Sequence, residues 1–181
     1  MQSTTTDFIN LWLHVISLAA YFGTTLAIVM MVLPLARAEA DPAARRRLLF
    51  RVLRIYNPLV IAVLGVVLMT GAFNLTNYKA ALRAEFFVEL GHLLAWKLGL
   101  AFVLIIIATY SVFGLGHRLV RFEQWDEPVD VAKESGIIRR LSATLIVALV
   151  LTAIITLLGL ELTHPGARMP QTPPPVSHTS A

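Results

Sequence analysis

The chain has 181 residues, 57% hydrophobic and only 14% charged, with a mean hydropathy of +0.73. Soluble domains carry about 25% charged residues, so the composition excludes a water-soluble domain and points to a polytopic membrane protein. It contains no cysteine, which removes disulfides, thiolate metal sites and iron–sulfur clusters, and its net charge of +4 reads first as membrane topology, with no basic, aromatic-interleaved patch for a nucleic-acid partner.

Residues 1–10 form a polar, external N-terminal segment. Thr6 and Asp7 are suited to cap a following helix. The start lacks the basic region of a signal peptide, and the apolar run after it is too long for one, so the first helix is expected to stay. That run, 11–34, carries no Lys, Arg, Asp or Glu. Its roughly 24 residues give about 36 Å of helix, enough to cross a hydrocarbon core of ~30 Å with some tilt. Its polar residues His14, Ser17, Tyr21, Thr24 and Thr25 follow helical spacing and share one face. Such a stripe faces protein rather than lipid. The hydroxyls can also bond back to their own helix or join helices. An imidazole at membrane depth needs a partner. Trp12 suits the water interface, and the helix is expected to end near Pro34.

Residues 36–54 contain Arg37, Arg45, Arg46, Arg47, Arg51 and Arg54, barely offset by Glu39 and Asp41. Asp41-Pro42 pairs a cap with a first-turn proline, and the arginine-rich stretch reads as an amphipathic lead-in to the second span. The simplest role of this charge is topogenic; binding of an anionic lipid or substrate is the alternative. The second span is 57–75, with Pro58 at its start and Gly65 and Gly71 as positions where another backbone can come close. The mixed connection to residue 90 reads as a short interfacial helix.

The third span, 91–115, opens with His92, Trp96 and Lys97 in its first two turns; a charged loop with Arg118, Arg121, Lys133, Arg139 and Arg140 follows. The fourth span, 141–163, has Thr144, Thr152 and Thr156 on part of one face and Glu161 near its end. Residues 164–181 are Pro- and Ser-rich and read as a disordered external tail.

The fold class is therefore all-α, a four-transmembrane-helix bundle within 11–163. The two loops after the first and third spans hold most of the Lys and Arg, so both are expected in the cytoplasm and both termini outside, in a bacterial inner (plasma) membrane. This topology brings His14, His92, Lys97, Glu161 and His164 to similar depth on the outer side. Two imidazoles at equal depth suit a b-type haem in a bundle, with Trp96 and Tyr21 available to pack on the macrocycle. The same histidines with Glu161 and His164 suit copper or zinc. Met30 and Met31 lie toward the other end, so among the soft ligands only Met69 could join them. Each residue also has a plainer role: His164 solvated, His92 hydrogen-bonded near the interface, His117 placed favourably at a helix end, Lys97 snorkelling or paired with Glu161.

The stretches WLHVISLAAYFGTTLAIVMMVLPLAR, RVLRIYNPLVIAVLGVVLMTGAFN and HLLAWKLGLAFVLIIIATYSVFGLGHRL resemble the membrane domain of the copper-resistance D (CopD) family, itself similar to the membrane-embedded protoporphyrinogen oxidase of many bacteria. The resemblance runs over about residues 11 to 120. It rests on Trp12 and His14, the Tyr21–Gly23 stretch, the Arg-rich turn, Thr70-Gly71 and Lys97-Leu98. It implies copper passage or a haem-bearing oxidase of tetrapyrrole synthesis, with His14 matching a haem-ligating histidine and Lys97 a required lysine. A third possibility, independent of the resemblance, is a non-catalytic subunit that joins other membrane subunits or its own copies through Gly65, Gly71 and the hydroxyl stripe.

Overall fold

The computed structural model describes residues 5–82, 91–125 and 131–162. Among them are four long helices and no strand: α1 (Thr5–Ala38), α2 (Pro42–Leu82), α3 (Gly91–Gln124) and α4 (Val131–Leu162). Each contains an apolar window long enough to cross a membrane. Large apolar side chains such as Leu11, Ile16, Phe102, Ile106, Val150 and Leu157 point outward. In water that surface would be costly; in lipid it is the expected exterior, because every backbone group is already satisfied inside a helix.

The helices outrun the predicted spans, and α1 already begins inside the polar segment 1–10. Its path through Pro34 has a local cause. Residues Ile28–Val32 form a π turn, closed by the Leu33 N–H donating to the Ile28 carbonyl. A proline ring clashes with the carbonyl four residues back and offers no N–H. Widening the preceding turn moves that carbonyl away, so the helix continues to Ala38. Pro58 likewise lies within α2 instead of starting it. The α1–α2 turn closes as Asp41-Pro42 predicts: Asp41 Oδ1 accepts from the Ala43 N–H (2.9 Å) and Oδ2 from the Ala44 N–H (3.2 Å). The proposed interfacial helix before residue 90 and the tail 164–181 lie outside the described residues, except that α2 runs on to Leu82.

Around the bundle α1 packs on α2, α3 on α4, and α4 returns to α1, while α2 meets α3 at the arginine-rich end. That basic end holds most of the core. Leu49 and Leu53 of α2, Leu119 and Phe122 of α3, and Ile137, Ile138 and Leu141 of α4 are all buried there. The charged stretch after the third span is thus partly helical and packed, not simply a loop. α3 has its own π turn, Tyr110–Gly116, on the way to this layer.

The basic end also buries an ion triad. Glu134 of α4, with its side chain 1% exposed, accepts from Arg45 Nε at 3.2 Å and Arg46 Nη2 at 3.3 Å. Two of the arginines that read as topogenic are therefore also structural, linking α2 to α4. The fold defines a multi-pass α-helical membrane protein, tightly packed at the basic end and more loosely at the other.

Candidate functional site

The polar stripe of α1 faces protein, as its spacing predicts. Polar contacts to antiparallel α2 run down it in register. Nearest the far end, Asn10 Nδ2 donates to the Thr70 carbonyl at 3.1 Å and to Asn74 Oδ1 at 2.7 Å. One turn on, His14 Nδ1 lies 2.9 Å from Thr70 Oγ1. Deeper, Thr25 Oγ1 and Tyr56 Oη share a hydrogen bond of 3.1 Å. Thr24, Thr144, Thr152 and Thr156 instead donate to carbonyls of their own helices, the back-bonding expected of intrahelical hydroxyls.

The surroundings of Thr70 favour one tautomer of His14. A threonine hydroxyl has one proton. That of Thr70 is directed at the Val66 carbonyl, 2.6 Å away in its own helix. Toward His14 its oxygen then accepts, which favours the tautomer with the imidazole proton on Nδ1. In the neutral ring Nε2 is left with a free lone pair.

Two glycines make room for the polar groups. A side-chain carbon at Gly71 of α2 would stand 3.2 Å from His14 Cε1, and one at Gly159 of α4 would stand 3.1 Å from Lys97 Nζ. Lys97 is half-buried on α3 and lies close enough to act electrostatically on His14. The far-end cluster thus draws on all four helices: Asn10 and His14, Thr70, Gly71 and Asn74, Lys97, and Gly159. Among the described residues Lys97 has no acidic partner. An intramembrane lysine and histidine on the inward side of their helices make this end the candidate site.

The other predicted residues fall in different places. His92 and Trp96 lie one turn apart on an exposed face of α3, while Lys97 is turned further inward. Tyr21 is buried in the core below His14. Met69 is 76% exposed, next to Thr70 but outside the polar cluster. His164 and the side chain of Glu161 lie outside the described residues. Among the described residues, no three His, Cys, Asp or Glu side chains come together as a metal site. Asn10, Asn74 and Gly159 were not singled out for a site from sequence. Asn10 belongs to the polar segment before the first span and Asn74 to the end of the second, and the α1–α2 register brings them together.

Two glycines of α2, one closely faced and one open, supply a test of this geometry. Gly71→Val is expected to lower stability by about 1–3 kcal/mol, because the added branches press on an imidazole already held by Thr70. Gly65, on the same helix, has nothing within 4 Å of an added carbon. Gly65→Val should leave thermal unfolding in mild detergent near that of the wild type; equal losses in the two variants would show that His14 is not packed on Gly71.

Comparison with protein-family models, with curated proteins and with solved structures gives no match to this chain.

Proposed function

We propose that the protein is a copper-resistance-D-like membrane protein whose far-end cluster binds haem b, with His14 Nε2 as the iron ligand and Lys97 paired with a propionate carboxylate. The observation that carries this reading is the hydrogen bond from His14 Nδ1 to Thr70 Oγ1. It leaves Nε2 as the coordinating nitrogen and fixes the ring, as the supporting partners of metal-ligating histidines do. A bound haem would supply one-electron chemistry. The chain's own part is to orient the imidazole through Thr70, to seat it against Gly71, and to hold a positive charge at Lys97.

That charge separates the two cofactor readings. An ammonium beside His14 repels a bare copper or zinc cation, and attracts a macrocycle bearing carboxylates. Haem is therefore preferred, with copper the alternative. The haem reading needs His14 alone from the histidines; His92 on its exposed face is not required. By the excess of positive charge at the basic end, that end lies in the cytoplasm of a bacterial inner membrane, and the site opens toward the outer face. A catalytic form of the same reading, oxidation of a protoporphyrinogen-like substrate, predicts turnover that stops in Lys97→Ala.

A second reading is a helper subunit, favoured by the unoccupied face at Gly65. There a neighbouring helix, from another subunit or a second copy, could approach closely.

The test is an absorption spectrum of the purified protein, oxidised and dithionite-reduced, with metal analysis of the same sample. A Soret band that shifts on reduction and disappears in His14→Ala is the expected result. Bound copper without a Soret band would move the site to copper handling. Neither group, in protein taken from haem- and copper-replete membranes, would overturn the cofactor reading and leave the subunit.

A further inference from the structure

At the basic end, away from the His14 cluster, an open cleft of about 370 Å³ is lined by Arg37, Arg45, Ser135, Ile138 and Arg139. Three helices build it: the last turn of α1, the first turns of α2 and the start of α4. Its charge is one-sided. Glu134, next to Ser135 in the chain, is shared between Arg45 and Arg46. In the α1–α2 turn, Asp41 caps α2 and Glu39 Oε1 accepts from the Asp41 N–H at 3.1 Å. Among the described residues, Arg37 and Arg139 have no acidic partner. Arg45 uses Nε on Glu134 and keeps Nη2 buried without a hydrogen-bond partner. A buried guanidinium nitrogen with nothing to donate to is costly. The wall that Arg45 shares with Arg37 and Arg139 is where an anion would offset this positive charge.

Position narrows the choice of anion. Arg37 follows the apolar run of α1 by three residues, and Arg139 precedes that of α4 by two. Both therefore stand at the level where hydrocarbon gives way to headgroups. Ile138 adds an apolar wall and Ser135 a hydroxyl. Guanidinium forks match phosphate oxygens, and basic pockets between helix ends at this depth suit acidic headgroups.

We propose that this cleft binds a phosphate-bearing anion, held by Arg37, Arg45 and Arg139. The phosphate is either the headgroup of an acidic phospholipid or a free phosphate from the aqueous side. The site is independent of any haem at the far end.

The full chain, in nanodiscs of phosphatidylcholine with increasing phosphatidylglycerol, is compared with the Arg37→Gln and Arg139→Gln variants. Both residues are exposed and outside the Glu134 triad, so neither change threatens folding. Native mass spectrometry counts retained phosphatidylglycerol, and thermal unfolding reads its protection. Each substitution should weaken binding about fivefold, and the pair about 25-fold, if each arginine acts near a charged headgroup. Arg118→Gln, which does not line the cleft, should behave as wild type. The second arm titrates inorganic phosphate into protein in pure phosphatidylcholine. Arginine-dependent protection by phosphate, with no preference for phosphatidylglycerol, would identify the free anion. Absence of both effects, or an equal loss in Arg118→Gln, would overturn the site.

Discussion

Exchanging Glu134 for glutamine is expected to lower stability by about 3–5 kcal/mol, the usual cost of removing one partner from a buried ion cluster. The replacement keeps the shape, so the loss is electrostatic and not a cavity. Arg45 and Arg46 have side chains only 13% and 19% exposed. Without Glu134 both would remain buried with no carboxylate, and the α2–α4 link would be gone. Arg47 and Asp41 form the useful contrast. Their atoms are 3.9 Å apart and each side chain is 57% exposed, so Asp41→Asn loses little through that pair, about 0–1 kcal/mol. Thermal unfolding in mild detergent measures both. A second construction separates charge from packing: replacing Glu134, Arg45 and Arg46 together by apolar residues of similar size should recover most of the loss. A drop below about 1 kcal/mol for Glu134→Gln would mean that the triad is solvated and contributes little.

The Glu134 triad also marks where the amino-acid sequence stops being legible. Hydropathy located all four crossing segments, because the requirement that backbone groups be satisfied in lipid leaves a helix as the only structure for such runs. The face of α1 that carries His14, Tyr21 and Thr25 was readable for the same local reason, a period of 3.6. So was the Asp41-Pro42 start of α2. Partners are another matter. Whether Arg45 and Arg46 serve topology or a buried carboxylate depends on which face of α4 meets α2, and Glu134 lies 88 residues from Arg46 in the chain. Helix ends were misjudged where a proline was taken as a stop. At Pro34 the π turn before it absorbs the clash, a tertiary accommodation that no local pattern announces.

The far-end cluster shows both outcomes side by side. His14 and Lys97 were visible as costly polar groups in apolar runs. Thr70 was visible only within the Thr70-Gly71 pair of the family resemblance, yet its hydroxyl favours one nitrogen of His14 as the free one. Gly159 gave no signal at all. Its value lies in the space it leaves for Lys97 Nζ.

Thr70→Val is accordingly the most informative change at this site, and on the proposed haem reading it should weaken binding about 10- to 100-fold, the range seen when the supporting partner of a metal-ligating histidine is removed. Valine keeps the shape of threonine and deletes the acceptor for His14 Nδ1–H. The Val66 carbonyl loses a side-chain donor in the same change. The cost to folding is therefore modest, about 1 kcal/mol. Binding suffers more, because the imidazole loses both its fixed plane and the bond that commits its proton to Nδ1. Thr70→Ser, which retains the hydroxyl, should bind nearly as wild type. Titration of haem into the apoprotein, followed at the Soret band, gives the affinities. Nitrogen NMR of labelled histidine reads the tautomer without any cofactor, and should show Nδ1–H in the wild type and a mixture in Thr70→Val. A mixed tautomer already present in the wild type would remove the physical basis for choosing Nε2 as the ligand. Unchanged affinity in Thr70→Val, with the tautomer shifted as expected, would instead place the haem, if bound, somewhere other than His14.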